Sequence, residues 1–458
     1  MIRMGLAAAA EAVGGSLVGG DAIFEGVCSD SRRLSPGCLF VALRGPNFDG
    51  HAFLAAAAGG GAIGALVESG AGSDTALPCI EVRDTLQALG RLAQAWRLRS
   101  DARVIGLTGS NGKTTLKEML AAILACRGSV MATAGNLNND IGVPLTLCRL
   151  ADERFAVIEM GANHAGEIDY LARLTQPDIA ILNNAGRAHL EGFGSVEGVA
   201  RAKAEIINGL RDGGIFVFNA DDRFAPMWRE LAAGRRQRTF GVAQPADVAS
   251  APDDYRVEWH DGRFEARFGV TCEHGAAEVA LGLAGAHNRV NALAAIAAAL
   301  EAGATLDDAV EGLATLRPVP GRLCPVCTAS GATLIDDSYN ANPDSVLAAL
   351  QVLAAAPGRR TLVLGDLAEL GTDAAGLHRQ LGEAAAAAGI QRLVTCGDLS
   401  REASRVFAGE ASHFDSRDAL VEALQADLAG DDFVLVKGSR AARMDDVVAA
   451  LVGEGAPC

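Results

Sequence analysis

Three α/β domains in series is the architecture the sequence predicts, and three observations carry it. The chain has 458 residues, enough for three separate cores at roughly 150 residues per domain. Short apolar runs alternate with helix-length segments along most of it, the pattern of mostly parallel sheets wrapped by helices. A Pro/Gly cluster, RPVPGR at 317–322, interrupts that alternation and marks a linker. The expected divisions are residues 1–98, 99–316 and 317–458.

Within 1–98, the runs CLFVAL, AIGALVE and CIEV alternate with helical stretches near 52–58 and 84–99, a small α/β unit. From 99 onward RVIGL, FAVIEM, IAILNN and IFVFN read as parallel strands separated by helices. Between 255 and 283 a period-two pattern surrounds Asp261-Gly262, a hairpin signal that decorates the central sheet. Beyond the linker TLIDDS, TLVLGD, RLVTCGD and FVLVKGS each precede a helical pattern, which predicts a Rossmann-like third domain.

Composition excludes some functions. Half of the residues are hydrophobic and 21% are charged, an ordered globular balance. Forty Lys and Arg against 56 Asp and Glu give a net charge of −16, which argues against a broad nucleic-acid surface. Helix N-termini and a few cations can still bind a nucleotide locally. The apolar run after Arg3 is cut by Glu11 too early for a secretion signal. The longest apolar stretch, 52–67, is rich in glycine and falls short of the roughly 18 residues of a spanning helix. A soluble, cytoplasmic protein with no membrane span is expected. The ten cysteines are irregularly spaced, as for reduced thiols, and no disulfide is expected.

The strongest local signal is the stretch Thr108, Gly109, Ser110, Asn111, Gly112, Lys113, Thr114 and Thr115, between a predicted strand and a predicted helix. Small residues let backbone N–H groups wrap a phosphate, Lys113 can neutralise the β and γ groups, and the Thr114 hydroxyl can ligate Mg²⁺. The strict pattern has glycine at 107, where this chain has Leu107. Glu159 ends FAVIEM and His189 follows IAILNNAG, both at the carboxyl ends of strands, where open α/β sheets place their ligands. Singly each would be a solvated acid and a structural imidazole; beside a phosphate loop they become metal-site candidates. Other signals fail the same test. Gly59, Gly61 and Gly64 spell GxGxxG but follow a helix and precede a strand, the reverse of the dinucleotide fingerprint. Cys324 and Cys327 form a single CxxC without a second pair. His164, in GANHAGEI, reads as a capping or solvent-exposed residue.

On these residues the sequence resembles the Mur ligase family, the ATP-dependent amide-forming ligases of peptidoglycan precursor synthesis, over nearly its whole length. TGSNGKTT resembles the family's ATP loop, and GAHNRVNALAA with PGR at 320–322 its later nucleotide segments. SDSRRLSPGCLFVALRG and DGHAF resemble a UDP-binding N-terminal module. GNLNNDIGVPLTL, HLEGFGSVEGVARAKAEI, DDSYNAN, GDLAELG and KGSR resemble the member that completes the pentapeptide, and the DNPR-type signature of the third-residue ligase is absent.

The resemblance implies that D-alanyl-D-alanine is joined to UDP-N-acetylmuramoyl-tripeptide by a cytoplasmic monomer with no nucleic-acid partner. It implies an acyl phosphate formed from ATP, and a role in cell-wall biogenesis, shape and division. It assigns Lys113 to the β,γ-phosphates, Thr114 and Glu159 to one Mg²⁺, and His189 with a carbamylated Lys203 to a second. Asn288 and Asn291 are implied near adenine, Arg322 at the γ-phosphate and Asp337 at the ribose. Ser29, Ser31 and Arg32 are implied at the uridine diphosphate, and Asn138, Asn139 and Asp140 at the muramoyl-peptide. Asn340, Asn342, Lys437, Ser439 and Arg440 are implied at the incoming dipeptide or its interdomain wall. Lys113, Lys203 and Arg322 are the implied catalytic residues. Of the alternatives, a folylpolyglutamate-type ligase would lack the SDSRR and PGCLF segment, and a nucleotide-driven switch or motor should carry an NKxD or DExx box, which is not in place.

Overall fold

The computed structural model describes residues 1–72, 75–260, 263–328 and 330–452, which form three α/β units along the chain. The first is built on a five-stranded sheet in the order Ser16–Val18, Cys79–Val82, Gly64–Glu68, Leu39–Val41, Val27–Cys28, parallel except for Ser16–Val18. Alternate side chains of its buried strands enter opposite cores. Leu39, Val41, Leu66 and Ile80 pack with the helix Leu6–Val13, whereas Phe40, Ala65, Val67 and Cys79 meet the helix Leu54–Gly59. Both faces are covered, which is why these strands read as continuous apolar runs.

The central sheet runs Val130–Ala132, Phe155–Glu159, Arg103–Thr108, Ile179–Leu182, Ile215–Asn219, Arg236–Gly241, Val248–Ala249, all parallel. An antiparallel extension follows, in which Arg263–Cys272 pairs with Arg256–His260 on one side and Gly275–Leu281 on the other. The expected hairpin strands are therefore present, while the Asp261-Gly262 turn itself lies outside the described residues. One face of the sheet (Ile105, Leu107, Val157, Ile181) packs on the helices Lys113–Ala125 and Ala286–Glu301. The other (Val104, Ile158, Leu182, Phe216) packs on Glu167–Thr175 and on Thr85–Arg97, which bridges from the first unit.

In the third unit the order is Cys324–Cys327, Thr333–Asp337, Asp432–Lys437, Arg359–Gly365, Arg392–Cys396, Glu410–Phe414, parallel apart from the first strand. Ile335, Leu362 and Leu435 face the helices Pro343–Ala354 and Ala374–Ala387, and Leu334, Val363 and Val434 face Arg417–Asp427 and Met444–Val452. The carboxyl ends of the central strands and of Thr333–Asp337 and Asp432–Lys437 border one cavity.

The CxxC lies on an edge strand and does not close on itself. Cys324 is a free thiol on that strand, so the pair forms no bond between its own two sulfurs. The GxGxxG lies where Leu54–Gly59 ends and Gly64–Glu68 begins, a helix-to-strand loop as expected. Among the described residues no helix is long and apolar enough to cross a membrane.

Candidate active site

The cavity measures about 940 Å³ and is lined by all three units. At its centre the strand Arg103–Thr108 gives way to the phosphate loop, and the helix Lys113–Ala125 begins with its N-terminus facing the cavity. Gly112 enters that helix at φ 77°, and a Cβ there would stand 2.5 Å from Asn291 Oδ1, so both conformation and space demand glycine. Lys113 Nζ donates to Gly109 O at 2.8 Å. Burial lowers the Lys113 pKa, with Glu159 opposing and Arg322 reinforcing.

Glu159 is the focus of the residues that could hold a first metal ion. Its Oε2 accepts from Thr114 Oγ1 at 3.1 Å and its Oε1 from Asn138 Nδ2 at 2.8 Å. Its backbone N–H donates to Thr133 Oγ1 at 2.9 Å, and the buried Lys117 holds the same residue through Thr133 O at 2.7 Å. A hydroxyl and a carboxylate are hard oxygen donors, and among the described residues there is no group of three or more His, Cys, Asp or Glu placed to hold a metal. The Glu159 carboxylate beside the Thr114 hydroxyl fits Mg²⁺, which takes one or two carboxylates and completes its shell with phosphate and water.

A web of asparagines fixes the loop from behind. The Asn111 N–H donates to Asn184 Oδ1 at 2.9 Å, and Asn111 O accepts from Asn183 Nδ2 and Asn184 Nδ2, both at 3.1 Å. Asn183 Nδ2 also donates to Asn291 Oδ1 at 2.7 Å, Asn291 Nδ2 to Asn288 Oδ1 at 3.1 Å, and Asn288 Nδ2 to Ala284 O at 2.7 Å. The helix Ala286–Glu301 thereby shares a polar network with the loop that it packs against.

Lys203, on the helix Val196–Ala204, is 1% exposed. Its Nζ donates to Ala162 O at 3.3 Å and stands 5.5 Å from the centroid of the Phe193 ring. Burial, reinforced by the Lys113 charge, brings its pKa down to about 7, against the pull of Glu167 and Glu205. Nearby His189 has φ 53° and pairs through Nδ1 with Glu369 of the third unit. Burial lowers the His189 pKa, the Glu369 carboxylate opposing and the Lys113 charge adding to the fall.

From the third unit come Arg322, 4.3 Å from the centroid of the Tyr339 ring, and Asp337, whose Oδ2 accepts from buried Lys437 Nζ at 2.5 Å. Burial raises the Asp337 pKa, with Lys437 and Arg322 opposing. Lys437 also donates to Asn340 O at 3.2 Å, and Asn340 Oδ1 accepts from the Arg440 N–H at 3.2 Å. Ser439 is bound to Asp366 O at 2.6 Å and, with Arg440, lies outside the cavity lining. His287, a lining residue that the sequence motifs did not single out, has a pKa brought down to about 4 by burial and by Lys437.

The cavity thus brings together the phosphate loop with Glu159, His189 and the 138–140 segment, Asn288 with Asn291, and Arg322, Asp337, Asn340, Asn342 and Lys437. Ser29, Ser31 and Arg32 do not line it; they stand in the first unit, where Arg32 pairs with Asp30 at 2.9 Å. His164 is exposed and pairs with Glu167 at 3.1 Å. Tyr339, Asn184 and Glu369 went unnoticed, although each lies inside or beside a motif, and their signal was only that adjacency.

The phosphate loop, Arg322 and Asp337 thus line one cavity with Leu86 and Gln87 of the first unit. The sequence matches the Mur ligase family catalytic domain over 24–97, the Mur ligase middle domain over 107–299 and the Mur ligase glutamate ligase domain over 321–440. The chain belongs to the Mur ligase family. Among Mur ligases it is 46% identical over 458 residues to the UDP-N-acetylmuramoyl-tripeptide–D-alanyl-D-alanine ligase of Escherichia coli K12, covering 99% of this chain and 100% of that one. The structure is similar to MurF from Acinetobacter baumannii, with TM-score 0.91, 35% identity and 99% of each chain covered. It is also similar to the MurF ligase of Thermotoga maritima in complex with ADP, with TM-score 0.81, 29% identity, and 93% of this chain and 96% of that one covered.

Proposed function

We propose that this Mur ligase joins D-alanyl-D-alanine to UDP-N-acetylmuramoyl-tripeptide at the expense of ATP, completing the peptide of the peptidoglycan precursor. The observation that carries the reading is full-length likeness to relatives of that name, combined with a single cavity that unites a phosphate loop, an asparagine-rich segment and a third-unit wall bearing Arg322 and the Asp337–Lys437 pair. The divisions near 98 and 316 belong to the same reading. They are supported by the helices Thr85–Arg97 and Leu306–Ala314, each of which precedes a change of sheet. A cytoplasmic monomer belongs to the same reading, and the use of ATP supports the cytoplasm.

In this mechanism a terminal carboxylate oxygen of the tripeptide attacks the γ-phosphorus of ATP, the β,γ bridging bond breaks, and ADP leaves. The product is an acyl phosphate. The neutral amine of D-alanyl-D-alanine then adds to the acyl carbon, the tetrahedral adduct loses phosphate and a proton, and an amide remains. Phosphoryl transfer depends mainly on alignment and charge neutralisation. Lys113 and Arg322 meet that need from the central and the third unit, Lys113 on the β,γ-phosphates and Arg322 on the γ-phosphate. Mg²⁺ held by Thr114 and Glu159, with a second ion toward His189, would supply further neutralisation of the triphosphate. Lys203 suits that second site only as its carbamate, because an ammonium repels a cation whereas a carbamate offers anionic oxygens. A pKa of about 7 leaves the amine free to take up CO₂.

The same reading gives Asn288 and Asn291 to adenine and Asp337 to ribose. It gives Asn138, Asn139 and Asp140 to the muramoyl-peptide, and Ser29, Ser31 and Arg32 to the uridine diphosphate. In this reading Asn340, Asn342 and Lys437, which line the cavity, serve the incoming dipeptide or its interdomain wall, and Ser439 and Arg440, outside that lining, belong to the same side. The test is ADP release with both substrates and with each omitted. Release that requires both is expected; release unchanged by omitting either would reject the assignment.

A further inference from the structure

The third unit meets the phosphate loop at one helical turn. Asn342 caps the helix Pro343–Ala354, its Oδ1 accepting from the Ser345 N–H at 2.9 Å. That cap uses only half of the amide. The Nδ2 group donates across the interface to Asn111 Oδ1, 2.7 Å away in the phosphate loop. Asp344 reaches the loop beyond it. Its Oδ2 accepts from the Arg187 N–H at 2.6 Å, and its Oδ1 from Arg187 Nε and Nη2, both at 2.7 Å. A Cβ on Gly186 would come within 2.6 Å of Asp344 Oδ2, so glycine permits the approach.

The two receiving points are themselves joined, because the Gly186 N–H donates to Ser110 Oγ at 2.9 Å and the Ser110 N–H to Asn184 O at 3.1 Å. The helix needs neither contact for its own sake. An asparagine cap and an aspartate in the first turn already satisfy its free N–H groups and its dipole.

We propose that this turn is a clasp: Asn342 and Asp344 are positioning residues that hold the third unit on the phosphate loop through Asn111 and Arg187, bringing Arg322 to the triphosphate. The inference rests on the ATP-ligase reading above and adds which contacts hold the catalytic arrangement. Losing them lowers the docked fraction and leaves the central unit's own grip on nucleotide in place. Turnover and nucleotide affinity should therefore part company.

The experiment compares Arg187→Ala, Asp344→Ala and the double variant with the wild type. It measures substrate-dependent kcat, AMP-PNP affinity by calorimetry, and X-ray scattering with AMP-PNP and the UDP substrate. Each single change should lower kcat by about tenfold, within the usual range of coupling between sites, and the double should fall no further. AMP-PNP affinity should fall by less than kcat, because the central unit's contacts to nucleotide remain when those of Arg322 and Asp337 are lost, and the ligand-bound radius of gyration should exceed that of the wild type. Asn342→Asp keeps the cap but loses the donor, so it should melt like the wild type and still lose turnover; it decides the matter should Asp344→Ala not fold. Unchanged kcat, effects of the two singles that multiply in the double, or an affinity loss parallel to kcat would each overturn the clasp. A wild-type enzyme whose ADP release ignores its substrates would instead sink the ligase reading, and scattering alone would then judge the clasp.

Discussion

Replacing Lys203 with methionine, which keeps its bulk and removes its amine, is expected to stabilise the protein while silencing it. The ammonium is poorly compensated. Its polar partner is a single carbonyl at 3.3 Å, and burial with Lys113 brings its pKa from 10.5 down to about 7. In the unfolded chain the same amine stays protonated up to about 10.5. Between about pH 7 and 10.5 the unfolded state therefore binds more protons than the folded one, and stability rises with pH across that window. The cost is complete below about pH 7 and gone above about 10.5. At about 1.4 kcal/mol per pH unit it totals on the order of 5 kcal/mol, of which about 2 kcal/mol disappears between pH 7 and pH 9.

Lys203→Met carries no such cost, so urea unfolding of both proteins in CO₂-free buffer at pH 7 and pH 9 reads it directly. The variant should be the more stable at pH 7, and its advantage should shrink by about 2 kcal/mol at pH 9. A gap that does not move with pH would refute the argument that this lysine is an under-compensated buried base. The same neutral amine, about half of the population at pH 7, should give a carbamate signal with ¹³C-bicarbonate in the wild type and none in the variant. Gaining stability by deleting a strained functional group is the usual trade between stability and activity.

Lys113→Met should lower kcat for ADP release by about 10²- to 10³-fold, the cost of one electrostatic contact to a transition state, and an activity within a few-fold of wild type would count against its role. Glu159→Gln should raise the Mg²⁺ concentration for half-maximal turnover by about 10- to 100-fold, and EDTA should abolish turnover in both proteins; a Mg²⁺ titration reads this. Asp337→Ala leaves Lys437 charged and buried without its carboxylate, and should cost about 3–5 kcal/mol in thermal unfolding, with part of the loss recovered on adding Lys437→Met. Unaltered melting would show that the pair is not ionised.

The visibility of each element in the sequence follows from its surroundings. Phe155–Glu159 and Ile179–Leu182 stood out because a strand covered on both faces must be apolar at every position. Arg236–Gly241 did not, since RQRTFG hides its strand character behind Arg238, which the fold neutralises with Glu301 at 2.7 Å. The helix Ala286–Glu301 is buried almost all round, so no amphipathic stripe announces it and its GAHNRVN motif had to. The phosphate loop was legible because its chemistry is local. Lys203 was not, because only burial separates it from an ordinary exposed helix lysine.

The asparagines show where sequence reading stops. GNLNND reads as a turn because asparagine tolerates turn geometry, and Asn139 does serve the backbone, its Oδ1 accepting from the Gly142 N–H at 2.8 Å. Asn138, one residue earlier, donates to Glu159 instead. Asn342 does both at once, capping its helix with one amide atom and binding the phosphate loop with the other. Local pattern assigns a residue type to a backbone task, but an amide has atoms left over after that task. Whether those atoms bear on function depends on partners hundreds of residues away, and the bond from Asn342 to Asn111 spans 231 positions. No periodicity or spacing connects such positions, so the clasp on the phosphate loop emerges only once the two units are folded against each other.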